Sequence, residues 1–361
     1  MLGQMMHRDL SIIDILKFAS ENHSLSEVVS LRTEGDMHRY NYTDCLSRVC
    51  KLANALVGLG IKKGDRVATL AWNGYRHLEL YYGISGIGAV CHTINPRLSP
   101  EQMLYIIEHA GDRLLFVDTT FVPIIEKLIP KLPKNLVIIV MASSDDSSTL
   151  SDNFLNYEQL ILESSHDIIW PELPENTAAG LCYTSGTTGN PKGALYSHRS
   201  TVLHALTTSL NLGPSLGDGM KVLPVVPLFH VNAWGLPYAA PLTGTSLIFP
   251  GPNLDGASLF DLMDQENVNS AWGVPTVWLG LLEEIRKQER VPSQFQNVVI
   301  GGSEAPKSMI EEFESLGITV CHAWGMTEMS PVGTQGFLPG SMKKALSQDE
   351  QISKKCYQGR R

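Results

Sequence analysis

No two cysteines in this chain are spaced C-x-x-C, and its six cysteines form no zinc pattern with His198, His204 or His322. A structural zinc or dithiol redox site would need such spacing, so neither organises the fold. Thiols set mostly among apolar residues point instead to a reduced, cytoplasmic setting. Long apolar runs are also missing: no 18-residue window qualifies as a membrane span. The opening stretch MLGQMMHRDLSIIDILKF carries Asp9, Asp14 and Lys17 where a secretion signal needs an unbroken apolar core. Positive charge is scarce. With 28 basic against 37 acidic residues, a net charge of −9 and no like-charge run, the composition argues against nucleic acid as a partner.

What is present is a chain of 361 residues, 43% of them hydrophobic, enough to bury a sizeable core. The segment TDCLSRVCKLANALVGLG repeats apolar residues at helical spacing, with Thr43 as the expected cap and a stop near Gly58 or Gly60. RVATL then reads as a strand. SPEQMLYIIEHAG offers Ser99 as cap, Pro100 at the first helical position and Gly111 as terminator, and RLLFVD follows as a buried strand. The same alternation runs through LVIIV, AAGLCY, SLIF, NSAWG and NVVIG, which predicts an α/β fold with mostly parallel sheets.

Two stretches interrupt this rhythm. Residues Ala142 to Asp152, ASSDDSSTLSD, are polar and Ser-rich, which suggests an exposed loop and a subdomain break near 142–178. The ending SMKKALSQDEQISKKCYQGRR is polar and shows no closing strand or cap, so it reads as interrupted.

The most informative segment is YTSGTTGNPKG, Tyr183 to Gly193, where hydroxyl side chains and glycines surround a single lysine. Glycines let backbone N–H groups turn toward an anion, Thr and Ser add hydroxyl donors, and Lys192 supplies a mobile positive charge. Together they suit phosphate. The Walker spacing G-x-x-x-x-G-K-[ST] is not matched, because Asn190 and Pro191 precede Lys192 and ALYSH beyond it reads as a strand before a helix.

Through this loop the chain resembles the adenylate-forming (AMP-binding) superfamily, which includes acyl-CoA synthetases, luciferases and peptide-synthetase adenylation domains. GIKKGDRVA, NPRLSPEQMLYIIEHAGDRLLFVD, PLFHVNAWGLPYA, GVPTVWL, GGSEAP and HAWGMTEMSP follow in the family's order, covering the chain from about residue 25 to 335. The wording of PLFHVNAWGLPYA and GVPTVWL looks most like the medium- and long-chain fatty acyl-CoA synthetases. The resemblance implies the family's large N-terminal domain over residues 1–361: α/β subdomains with mostly parallel sheets and a small β-barrel-like part.

It also implies roles. Thr184, Ser185, Gly186, Thr187, Thr188, Gly189 and Lys192 would hold ATP phosphates. Gly301, Gly302, Ser303, Glu304, Ala305 and Pro306 would form one wall of an adenine slot, with Trp324 as the other wall and His322, Ala323, Gly325 and Met326 beside it. Thr327 would touch the α-phosphate, while Glu328 and Thr184 would hold Mg²⁺. His230, with Val231, Gly301 and Gly325, would border the reacting carboxylate. Trp234 would gate an acyl tunnel; it lies four residues from His230, so on a helical turn the two would share a face. Lys192, His230, Thr327 and Glu328 are the expected catalytic set.

The activity implied is condensation of a fatty acid with ATP to an acyl-adenylate, then transfer to CoA. Such chemistry needs charge stabilisation and no protein nucleophile. Competing readings are a ligase for another apolar or aromatic acid, and a noncatalytic nucleotide- or acyl-binding fragment; a homodimer is left open. QGRR resembles the point where the family reads Gly-Arg-Pro before a ribose-binding aspartate, a hinge and a small lysine-bearing domain. The expectation is therefore a chain that lacks that domain and completes thioester synthesis poorly alone.

Overall fold

The computed structural model describes residues 1, 3–5, 7–144, 154–184, 189–211 and 215–359. Along them run β1 (Glu27–Leu31), β2 (Met37–Asn41), β3 (Arg66–Leu70), β4 (Val90–Thr93), β5 (Asp112–Asp118), β6 (Val137–Met141), β7 (Phe154–Asn156), β8 (Ala178–Thr184) and β9 (Lys192–Ser197). Then come β10 (Lys221–Pro224), β11 (Ser246–Phe249), β12 (Ser270–Gly273), β13 (Asn297–Ile300), β14 (Thr319–Gly325) and β15 (Val332–Gln335).

The strands form two sheets. One has the order β7-β6-β5-β3-β4-β8-β9 and is parallel except where β8 meets β9. The other has the order β15-β14-β13-β12-β10-β11-β1-β2 and is parallel except at its two ends, β14 with β15 and β1 with β2. The α/β expectation is met. β12 and β13 are buried at every residue, as parallel strands covered on both faces must be.

Every strand among the described residues falls in these two sheets, so the small barrel-like part is not formed there. The segment after β15 folds instead as two helices, Gly340–Ala345 and Gln348–Lys355. The second does have a cap: Ser347 and Glu350 bond reciprocally to each other's backbone, and Ile352 is buried beneath. Of the stretch 142–178, β7 (Phe154–Asn156) joins the first sheet beside β6, and β8 begins at Ala178 in the same sheet. Positions 145–152 of the Ser-rich segment lie outside the described residues. The chain changes sheet elsewhere, between β2 and β3 and again between β9 and β10.

Local signals mostly hold. Pro100–Ala110 is a helix started by reciprocal capping between Ser99 and Gln102 and ended at Gly111 in the left-handed region, φ 65°. The helix Tyr42–Gly58 is capped at Asn41, two residues before the expected Thr43. Asn41 accepts from the Asp44 N–H and Asp44 returns the bond, whereas the Thr43 hydroxyl bonds Ser20 O at 3.1 Å. The side chain that reaches the N–H of the third helical residue, Asp44, wins the cap.

Between the sheets lies the helix Tyr75–Gly86, buried along its whole length. Its charged residues are paired rather than solvated. Arg76 donates to Glu158 and Glu34 at 2.8 Å each and to Met141 O, and Glu79 accepts from Arg48 and Tyr157 at 2.6 Å each. Just before this helix, Asn73 spans the seam. Its amide donates to Pro224 O at 2.7 Å and Val226 O at 3.0 Å, and its oxygen accepts from Leu228 N at 2.6 Å. Asn73→Ala leaves those three backbone groups buried and unpaired, which costs about 2–5 kcal/mol. Urea denaturation should show that loss; a change below about 1 kcal/mol would mean the seam does not depend on Asn73.

Candidate active site

In open parallel sheets ligands bind outside the carboxyl ends of strands, where the strand order reverses. β10 is such a strand, with β11 on one side and β12 on the other. Its exit leads to His230 and Trp234, the exit of β13 to Gly301–Pro306, and that of β14 to Met326–Glu328. In the first sheet β8 exits at Thr184. The expected site residues thus come from four strand ends on two sheets.

Thr184 pairs with Lys192 across β8 and β9, and its hydroxyl lies 3.4 Å from Lys192 O. Lys192 is exposed, and Gly189 has φ 113°. Ser185, Gly186, Thr187 and Thr188 lie outside the described residues. Tyr196, further along β9, donates its hydroxyl to Thr327 O at 2.6 Å. That bond ties the lysine-bearing strand to the turn carrying Thr327 and the exposed Glu328. The turn is tight: a side chain at Gly325 would come within 2.2 Å of Pro331 O, so only glycine fits there.

The segment after His230 departs from the expectation. Val231, Asn232, Ala233 and Trp234 have φ of 43°, 55°, 46° and 56°, and Gly235 follows at 83°. This is a left-handed turn, so the argument that His230 and Trp234 share the face of a right-handed helix fails. Each non-glycine residue so held costs roughly 1–2 kcal/mol. The surroundings offset that cost: Tyr81 donates to Leu228 O at 2.5 Å and Asn232 Oδ1 at 3.1 Å, and Cys182 Sγ lies 3.5 Å from Asn232 Oδ1. Strain concentrated at one turn and held by its neighbours is characteristic of functional sites.

His230 and Trp234 nevertheless meet at a cavity of about 160 Å³. Val231, Gly301, Gly302, Ala323, Trp324, Gly325, Met326 and Thr327 also line it. The Trp234 ring lies so close to Gly301 that a Cβ there would approach it to 3.1 Å. Trp324 is 44% exposed, leaving much of its ring available. Gly302, Ser303, Glu304 and Pro306 are exposed, and Ala305 anchors their loop inside. His230 stays open to solvent at the cavity rim, and its pKa is lowered, first by desolvation against the cavity walls and then by the charge of Arg97.

His322 is placed differently from a ligand contact. It is fully buried, its Nε2 accepts from Ala305 N at 3.3 Å and its Nδ1 lies 3.2 Å from Lys355 O. With both ring nitrogens engaged, it braces the Gly301–Pro306 loop against the last helix. Among the described residues no group of three or more His, Cys, Asp or Glu could hold a metal.

A second cavity, about 440 Å³, lies between the helix His198–Asn211 and residues 332–339, and Val332 borders both cavities. His204 stands at the partition. Its Nε2 accepts from Val332 N at 3.1 Å, its ring lies against Gly235, and burial lowers its pKa to about 4. Asn73, Tyr81, Tyr196 and His204 are the residues that motif reading missed. They act on partners 128 to 155 positions away, and nothing local marks them.

Residues 18–354 match the family described as AMP-binding enzyme, and the chain belongs to that family. It is 48% identical to a medium-chain-fatty-acid–CoA ligase of Ectopseudomonas oleovorans, over 100% of this chain and 66% of that protein. It is 45% identical to a 3-methylmercaptopropionyl-CoA ligase of Ruegeria lacuscaerulensis, over 100% and 67%. With a long-chain-fatty-acid–CoA ligase of Thermus thermophilus the identity is 42%, over 98% and 64%. The chain thus spans about two thirds of the length of these relatives. Among solved structures, a long-chain-fatty-acid–CoA ligase of Archaeoglobus fulgidus superposes with a TM-score of 0.82 at 19% identity, over 99% of this chain and 70% of that one, which supports the fold. No helix among the described residues is long and apolar enough to cross a membrane.

Tyr81→Phe removes the hydroxyl that bonds Leu228 and Asn232 but keeps the ring. Hydrogen exchange of the 228–236 backbone should rise on the order of tenfold, the equivalent of one hydrogen bond of about 1.4 kcal/mol. Unchanged exchange there would show that the turn is held by packing alone.

Proposed function

We propose that this chain binds ATP, Mg²⁺ and a fatty acid, and that its site activates the acid as an acyl-adenylate for transfer to CoA. The observation that carries the reading is the Tyr196 to Thr327 bond, which brings the Lys192 strand and the Glu328 turn together beside the cavity of His230 and Trp234. The relatives named for medium- and long-chain fatty acids support the acid class.

The chemistry follows from charge. A carboxylate oxygen attacks the α-phosphorus of ATP, pyrophosphate leaves, and the mixed anhydride forms. Two anions must approach each other, so positive charge and donors must already be in place. Lys192 would follow the outer phosphates, and the Thr327 hydroxyl would meet the α-phosphate. Glu328 and Thr184 would hold Mg²⁺, which spreads phosphate charge when bound. His230, its pKa lowered by desolvation and Arg97, can donate a hydrogen bond to the acid from its ring N–H. Adenine would lie between Trp324 and the Gly301–Pro306 loop, with the acyl chain beyond Trp234. In the second half-reaction the CoA sulfur attacks the carbonyl and AMP leaves. The reading includes a cytoplasmic setting, which the six unpaired cysteines support.

Glu328→Gln tests it. The change removes one carboxylate charge at constant size, so Mg²⁺-dependent ATP affinity should fall on the order of tenfold while AMP affinity stays within about twofold. Calorimetry at several Mg²⁺ concentrations, with acid-dependent pyrophosphate exchange beside it, reads this directly. An unchanged Mg²⁺ titration would remove Glu328 from the metal site, and no ATP binding by the unaltered chain would refute the function.

A further inference from the structure

β9 is the end strand of the first sheet, beside β8, and β15 is the end strand of the second, beside β14. Among the described residues no backbone ladder crosses between these two edges, and side chains join them instead. Tyr196 on β9 donates to Thr327 O at 2.6 Å, and His204, on the helix that continues β9, accepts from Val332 N at 3.1 Å. The two bonds grip both ends of the turn that joins β14 to β15 and carries Glu328. Inside that turn Met326 N–H bonds Pro331 O and Met329 N–H bonds Met326 O, at 2.9 Å each, so it is a closed unit.

Side chains alternate along a strand, and the pairing of β9 with β8 is regular from Lys192 to Tyr196. Lys192 and Tyr196 therefore share one face of β9, about 13 Å apart along it. The lysine is exposed at the outer end of that face, and the tyrosine, 6% exposed, grips the turn at the inner end. Burial raises the pKa of Tyr196, with Cys182 and the Glu328 carboxylate adding to the effect, so its hydroxyl keeps the proton it donates.

We propose that Tyr196 is a positioning residue: through its hydroxyl the Thr327–Glu328 turn and the Lys192 strand move as one body, so the groups for the α-phosphate and for the outer phosphates are set together. The proposal rests on the adenylate reading above. A nucleoside triphosphate with Mg²⁺ spans both elements and feels the tie, whereas AMP reaches only the turn. The experiment is calorimetry on the purified chain with AMP, and with Mg²⁺ and α,β-methylene-ATP, which cannot release pyrophosphate. The unaltered chain is compared with Tyr196→Phe, Lys192→Ala and the double variant. Tyr196→Phe keeps the ring and His204 still holds Val332, so the fold should persist, with Tm as the control. Each single change should weaken the triphosphate on the order of tenfold, Tyr196→Phe should leave AMP within about twofold, and the double variant should lose far less than the product of the two. A double variant that loses the full product within about twofold makes the residues independent and overturns the proposal. Unchanged triphosphate binding in Tyr196→Phe overturns it too, as does equal weakening of AMP, the mark of a merely structural tyrosine. Hydrogen exchange of the 326–332 backbone is a second measurement: it should rise on the order of tenfold in Tyr196→Phe, and unchanged exchange contradicts the tie. If the unaltered chain binds no nucleotide, the adenylate reading itself fails and this inference falls with it.

Discussion

The Asn73 side chain is the constraint on which the site depends. It stands at the carboxyl end of the first sheet yet spends all three of its bonds on the segment leaving β10 in the second. Two sheets that each bury their own cores would otherwise be free to slide at their common edge. A short amide reaching backbone atoms fixes position more sharply than apolar contact can, because hydrogen bonds are directional and apolar contacts are not. Tyr81, one and a half turns into the buried helix, continues the clamp onto Leu228 and Asn232.

The left-handed turn follows from that clamp. Four successive non-glycine residues at positive φ are unfavourable on local grounds, and no isolated peptide of this sequence would hold them. The clamp makes the arrangement stable and places His230 and Trp234 at one cavity without a helix between them. Comparable logic operates across the site, where Tyr196 holds Thr327 through its carbonyl and His322 holds Ala305 through its N–H. The chemistry-bearing side chains are thereby left free, since their backbones carry the restraint. Electrostatics agree: desolvation lowers the pKa of His204, His230 and His322, and the charge of Arg97 adds to the effect at His230.

Much of this was legible in the sequence because it is written in local chemistry. Ser99, Pro100 and Gly111 mark a helix through caps and φ preference, and runs such as SAWG and NVVI mark buried parallel strands. GGSEAP supplies Gly301 and Gly302, and HAWGMTEMSP supplies Ala323, Trp324, Gly325, Met326, Thr327 and Pro331, to the cavity of His230 and Trp234, whereas no described residue of the phosphate-loop wording lines it. The turn at Val231–Gly235 was not legible, because FHVNAW contains no glycine or proline signal until its end and its conformation is imposed by Asn73 and Tyr81. The bracing contacts of His322 were not legible for a related reason. A histidine beside a motif looks like a contact residue until its two nitrogens are found on Ala305 and Lys355. Thr43 lost its cap to Asn41 by geometry that spacing alone does not resolve.

The central claim is that the four strand ends form one adenylate site. A crystal structure of this chain with Mg²⁺ and a non-hydrolysable acyl-adenylate analogue tests it most directly. The account predicts adenine between Trp324 and Gly301–Pro306, the phosphate-equivalent group beside Thr327 and Lys192, and the acyl chain passing Trp234 toward Val332. An analogue bound elsewhere, or one whose adenine and acyl ends occupy sites unconnected through the His230 cavity, would contradict it.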